Sequence, residues 1–216
     1  MTVAYPITAQ LDYTELRYSL RSLEKFLTPP FEVVIIGNHM PDWITGVTQI
    51  ELADVPNKKQ LSIRRKIYAA LEYAEEILFM NDDVYLLQPA SEFPYYWHGM
   101  LKNYSEPGSK ILLKSLEEMS MQTKHFDGHY PLIYSYDFKG ALEHFTDDVI
   151  IKSAYCNFYD IEGQFAPDCK LLKETKLEII RNFIKDKTCF STGTQSLKSA
   201  LPILQELYPN KSNFEI

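Results

Sequence analysis

No run of roughly 18 apolar residues occurs in the chain, so no membrane-spanning helix is expected. Met1 to Gln10 has neither a charged start nor a long apolar segment, and a secretory signal is not expected either. Basic residues are the minority, 22 against 29 acidic, giving a net charge of −7. A general nucleic-acid binder needs a basic surface, so nucleic acid is not an expected partner; a local basic pocket is not excluded. Cysteine is scarce. Cys156, Cys169 and Cys189 are odd in number and too widely spaced for a zinc knuckle, and they read as reduced thiols of a cytoplasmic protein. A Gly-rich phosphate loop and a Walker loop are both missing: Gly37, the first glycine, stands alone. Internal repeats and low-complexity segments are missing too.

What is present is a chain of 216 residues, 45% of them apolar, with 15 Tyr and 12 Phe. That is enough for one large domain, or one domain with a helical appendage. Its most informative stretch runs from Ile77 to Leu86. Four apolar residues, Ile77 to Met80, meet Asn81, Asp82 and Asp83, and apolar residues resume at once. A strand covered on both faces needs no alternation, so Ile77–Met80 reads as a buried strand. Two adjacent carboxylates then fall at its carboxyl end, the edge where open α/β sheets bind ligands. Neighbouring carboxylates repel unless a cation or a donor cluster lies between them. Mg²⁺ or Mn²⁺ would take their oxygens and keep places for phosphate, which points to a metal–diphosphate site. An Asx-type turn closing the strand is the plainer alternative.

Taken in order, Val3–Tyr5 reads as a strand limited by Pro6. Tyr13, Leu16, Leu20, Leu23 and Leu27 recur at helical spacing, with Asp12 or Thr14 as cap and Thr28-Pro29-Pro30 as stop. Glu32–Ile36 is a second strand closed by Gly37-Asn38, making a β–α–β unit with a right-handed crossover. Thr48–Leu52 reads as a third strand. The next helix carries Ile63, Ile67, Leu71 and Ala74 on one stripe. It opens with Lys58, Lys59, Arg64, Arg65 and Lys66 and ends with Glu72, Glu75 and Glu76, the reverse of what a helix dipole favours. Such a cluster fits an anion, phosphate above all, or else a solvated basic face. The candidate donor-binding residues are Asn38, Lys58, Arg65, Lys66 and Asp82.

Beyond Pro89 the composition changes. Phe93-Pro94-Tyr95-Tyr96-Trp97-His98 is an aromatic patch that could floor a sugar or base pocket, or pack as core or lid. Helices are expected over 110–124, 137–145, 149–158, 173–185 and 195–207, with a strand or turn at Cys189–Gly193. His125 and His129 are four apart, but Gly128 and Pro131 break the helix a zinc pair would need. His129 reads as a loop histidine able to orient an acceptor or act as base, or serving structure only.

The helix stretch Glu15-Leu16-Arg17-Tyr18-Ser19-Leu20-Arg21-Ser22-Leu23-Glu24-Lys25 and the strand with Asn81-Asp82-Asp83 resemble motifs of the Stealth-type sugar-phosphate transferases. They also resemble those of small glycosyltransferase-like proteins from phages and gut bacteria. His129-Tyr130-Pro131 is similar to the family's His-x-Pro loop, and Lys211-Ser212-Asn213-Phe214-Glu215 to the end of its short members. The acidic Asp-Gly turn of Stealth proteins is absent, since Val3–Ile7 has no carboxylate until Asp12. That departure places glycosyl transfer ahead of sugar-phosphate transfer. The resemblance implies a GT-A-like α/β fold with a mixed, mostly parallel sheet flanked by helices and a helix-rich C-terminal part. Residues 1–90 would form the nucleotide-binding half and 91–216 the acceptor half of one domain. It further implies that Asp83 ligates Mn²⁺ or Mg²⁺, and that Asp82 shares the ion or bonds the donor sugar. A nucleotide-sugar would be the donor and a glycan or other hydroxyl compound the acceptor, with His129 and Asp82 catalytic. A sugar-phosphate transferase and an inactive binding module of the same fold are the alternatives.

Overall fold

The computed structural model describes residues 1–10, 12–28, 30–126, 129–135 and 137–216. The helix-breaking roles expected of Pro29 and Gly128 lie outside the described residues. In chain order the strands are β1 (Thr2–Pro6), β2 (Glu32–Ile36), β3 (Thr48–Ile50), β4 (Glu76–Phe79), β5 (Val84–Leu86), β6 (Tyr96–Trp97), β7 (Leu132–Ser135), β8 (Gln164–Phe165), β9 (Lys170–Leu171) and β10 (Cys189–Thr192). The helices are α1 (Thr14–Phe26), α2 (Lys59–Tyr73), α3 (Pro107–Glu118), α4 (Phe138–Leu142), α5 (Ile151–Phe158), α6 (Leu177–Ile184) and α7 (Thr194–Leu207).

The main sheet has the order β3-β2-β1-β4-β7. β1 runs parallel to β2 and β4, and β2 parallel to β3, while β7 closes the edge antiparallel to β4. Alternation along the strands sorts the core onto two faces. Val3, Tyr5, Val33, Ile35, Leu78 and Met80 pack with Leu16, Leu20 and Leu23 of α1. Ala4, Val34, Ile36, Ile77 and Phe79 pack with Ile67 and Ala70 of α2 and with α3, α4 and α5. Both faces of β4 are therefore covered, which is why its sequence is a continuous apolar run.

A second sheet, β5-β10-β9, packs Tyr85, Phe190 and Leu171 against Ile180, Ala200, Ile203 and Leu204 of α6 and α7. Its β5 edge is held by two buried serines of α1. Ser19 Oγ donates to Val84 O at 2.5 Å, and Ser22 Oγ accepts the Leu86 N–H at 3.0 Å. These bonds satisfy backbone groups that a buried edge strand would leave orphaned. The polar residues of the Glu15–Lys25 stretch have similar tasks elsewhere. Arg17 and Arg21 both bond the fully enclosed Glu215 carboxylate, at 2.8 and 2.7 Å, so the helix motif and the Lys211–Glu215 motif meet.

The sequence pattern places β1, β2, α1 and α7 within a residue or two of where they stand; α2 starts where expected but ends at Tyr73, and Glu76, expected at its end, opens β4. It shows no strand at β7, which follows Pro131 directly. The helix expected over 110–124 begins at Pro107 and stops at Glu118, because Ser120 takes a left-handed φ of 56° and Met121 N–H returns to Leu116 O at 2.9 Å. The helix expected over 173–185 begins only at Leu177; ahead of it, the Thr175 N–H is drawn to Ser199 Oγ at 3.3 Å. No described helix is long and apolar enough to cross a membrane. None of the three buried cysteines forms a disulfide.

Candidate active site

Asn81, Asp82 and Asp83 form the tight turn between β4 and β5, closed by the Val84 N–H on Asn81 O at 3.2 Å. The closing bond is backbone to backbone, not that of an Asx side chain, and Asn81, Asp82 and Asp83 line a cleft. This cleft, about 730 Å³, opens past the carboxyl ends of β1 and β4, where Pro6, Phe79 and Asn81 line it. α2 begins in its wall at Lys58 and Lys59, α5 at Ile151 and Lys152, and α7 at Thr194. Among the described residues no side chain caps α2 or α5.

Asp82 Oδ2 accepts Gln10 Nε2 at 2.6 Å. Burial, with Asp83 and Glu15 close by, pushes its carboxyl up to about 7 against the opposing pull of Gln10. Asp83 Oδ2 accepts Lys170 Nζ at 3.0 Å, while Asp83 Oδ1 is buried with no hydrogen-bond partner among the described residues. Sheet register explains the Lys170 contact: Val84, Ser191 and Lys170 form one row across β5, β10 and β9. Glu15, at the start of α1, completes a group of three carboxylates. Its Oε1 accepts Thr192 Oγ1 at 2.9 Å, and burial raises its carboxyl above the ordinary range.

His129 lines the same cleft, with Nδ1 at 3.1 Å from Asp168 Oδ1. His125, four residues earlier, is buried and stacked on Tyr104 at 3.8 Å between ring centroids, and does not line the cleft. Of the expected donor-binding residues, Lys58, Lys66 and Asp82 line the cleft. Lys66 is already engaged, donating to Ile7 O at 2.7 Å and pairing with Asp54 at 2.6 Å. Arg65 is exposed on α2 and Asn38 is exposed beyond β2, and neither lines the cleft. The helical turn that carries Ser62 and Lys66 inward leaves Arg65 outward. Arg64 is spent on Asp147 at 3.0 Å and on the Phe145 and Thr146 carbonyls. The aromatic patch lies apart from the main cleft. Phe93, Pro94 and Tyr96 border a smaller cavity of about 280 Å³ with Tyr130, and Trp97 packs on Phe165.

Sequence reasoning missed Gln10, Lys152, Asp168 and Lys170, and gave Glu15 no site role. Glu15 had one available signal: it stands in the helix stretch that also carries the resemblance.

Among the described residues no three His, Cys, Asp or Glu side chains form a ready metal cage. Two carboxylates at a strand end, one with a buried unpartnered oxygen, still fit a hard divalent cation whose remaining places go to phosphate and water. Asp83 Oδ1 and Asp82 would hold it.

No protein-family profile and no curated protein sequence matches the chain. Solved structures do. Galactosyltransferase LgtC in complex with donor and acceptor sugar analogues superposes with a TM-score of 0.53 at 10% identity, covering 99% of this chain and 97% of that one. An active-site mutant of LgtC gives 0.52 at 10% identity with the same coverage. The apo-form glycosyltransferase GlyE of Streptococcus pneumoniae TIGR4 gives 0.47 at 10% identity, covering 97% of this chain and 60% of that one. The chain thus has the mixed α/β fold of GT-A glycosyltransferases, with a mostly parallel sheet flanked by helices.

Proposed function

We propose that the protein is a metal-assisted glycosyltransferase that moves a sugar from a nucleotide-sugar to a hydroxyl group of a glycan or similar acceptor. The observation that carries this reading is the pair Asp82–Asp83 in a cleft also lined by Lys58, Lys152 and Lys170, the last bonded to Asp83 itself. Acidic and cationic groups gathered in this way suit a metal–diphosphate, and the GT-A fold supports the same assignment. Asp83, with Asp82, would hold Mn²⁺ or Mg²⁺, and the ion would supply positive charge beside the diphosphate. Lys58 and the helix starts receive the phosphates. Asp82 also bonds a donor sugar hydroxyl on this reading, and His129 serves the acceptor hydroxyl. Residues 1–90 furnish Asp82, Asp83 and Lys58 to the donor side, and the stretch from 91 onward adds the start of α5 to it and furnishes His129 on the acceptor side.

The test is to incubate the protein with a panel of nucleotide-sugars and Mn²⁺ and to identify the released nucleotide. Nucleoside diphosphate is the expected product, through slow hydrolysis even without acceptor. Nucleoside monophosphate would show sugar-phosphate transfer instead, and binding without any release would show a binding module. Asp83→Ala should fold normally and lose the Mn²⁺ dependence of nucleotide affinity. Calorimetry giving equal dependence in variant and wild type would remove Asp83 from the site.

A further inference from the structure

His129 and Asp168 lie 39 residues apart on two loops that Tyr130 ties together beside the pair. Tyr130 Oη donates to Pro167 O at 2.9 Å, linking the residue after His129 to the residue before Asp168. Lys152 Nζ holds Tyr130 O at 2.9 Å from the far side. Asp168 is itself anchored before it meets the ring: its Oδ1 accepts the Lys170 N–H at 3.0 Å and the His129 N–H at 3.4 Å. The imidazole Nδ1 is 3.1 Å from the same oxygen. Burial would raise the Asp168 carboxyl, but the hydrogen bond and charge of His129, with the backbone N–H groups, hold it well below the usual carboxylate range. An ionised carboxylate only accepts hydrogen bonds, so Nδ1 must carry the proton and Nε2, on the opposite edge of the ring, keeps its lone pair.

We propose that Asp168 is the positioning residue of His129, fixing the Nδ1–H tautomer so that Nε2 takes the proton of the acceptor hydroxyl. As that hydroxyl oxygen bonds to the anomeric carbon, its proton passes to Nε2. The sugar–phosphate C–O bond breaks and its electron pair leaves with the nucleoside diphosphate. The other charged groups lining the cleft are Asp54, Lys58, Lys59, Lys66, Asp82, Asp83, Lys152 and Lys170. The catalytic meaning of the assignment rests on the transfer reading above, but the tautomer does not.

The experiment is two-bond ¹H–¹⁵N spectroscopy of the full chain labelled at histidine, with the His129 signals identified by their loss in His129→Gln. Wild type should show His129 protonated at Nδ1 in its neutral form. In Asp168→Asn the neutral imidazole should lose its preference for Nδ1–H and populate both tautomers. Nucleotide-sugar hydrolysis should fall by about 10-fold or more. UDP affinity with Mn²⁺ should stay within about twofold, because Asp168 is not among the groups assigned to the diphosphate. Asp168→Ser provides the same comparison should the Asn variant fold poorly. An Nε2–H tautomer in wild type, or a tautomer ratio unmoved in the variants, overturns the proposal. Hydrolysis absent from wild type with the Nδ1–H tautomer present would count against the transfer reading alone.

Discussion

Asp82→Asn should make the protein more stable while removing part of its site. The Asp82 carboxyl is raised from 3.8 to about 7, burial being the largest cause and Asp83 and Glu15 adding to it. A carboxyl raised in this way binds a proton in the folded state that the unfolded chain has released. Stability therefore falls as pH rises from about 4 to about 7, and is level above that. A rise of this size corresponds to a ceiling of about 4 kcal/mol. Asp82 is open in part to the cleft, so solvent screening reduces this to about 2 kcal/mol. The Asn side chain avoids the charged form and still offers an oxygen to Gln10. Urea unfolding of both proteins should show the variant ahead by about 2 kcal/mol at pH 8, with the gap closing toward pH 4. Mn²⁺ with a nucleoside diphosphate should close the gap at pH 8 from the other side, by stabilising wild type alone. A difference that does not vary with pH, or a variant less stable at pH 8, would refute the reasoning.

Lys58→Gln should weaken nucleotide diphosphate binding by about 1.5–3 kcal/mol, the worth of a charge-assisted hydrogen bond, whereas Arg65→Gln should leave it unchanged; calorimetry on the two variants decides between a ligand-facing lysine and a uniformly solvated run. The clamp on Glu215 gives the opposite pH dependence to Asp82. Burial would raise that carboxyl, but the Arg21 hydrogen bond and both arginine charges hold it at about 2 against an ordinary 4.5. Its stabilisation is present above pH 4.5 and is lost as pH falls toward 2. With Arg17 partly in solvent, Glu215→Gln should cost about 2 kcal/mol at neutral pH and progressively less below pH 4.5 in thermal unfolding.

The sheet core was readable because β1, β2 and β4 are buried on both faces and so spell continuous apolar runs. The Asn81–Asp83 turn was readable for the same reason, since the run stops at its edge. β7 was hidden because Leu132–Ser135 is only four residues long and follows a proline. Asp168 and Lys170 were hidden more deeply. β9 has two residues, too few for any periodicity, and the importance of Lys170 arises from a register across β10 that only the folded sheet creates. The basic start of α2 was visible as composition, yet composition does not tell that Arg64 turns to Asp147, Lys66 to Asp54 and Arg65 to water. Neighbouring positions on a helix point apart, so one run serves three ends.

On the proposed reading, the two uncapped helix starts in the cleft wall, those of α2 and α5, have a consequence for how fast an anionic ligand arrives. The whole molecule is negative by seven charges and repels a nucleotide from a distance. Close in, backbone N–H groups and lysines reverse the sign. At physiological ionic strength the screening length is about 8 Å, so the long-range repulsion is largely removed while contacts inside the cleft keep most of their strength. Moderate salt should therefore speed capture rather than slow it, and dissociation should carry the loss of affinity only when salt begins to compete for the phosphates themselves.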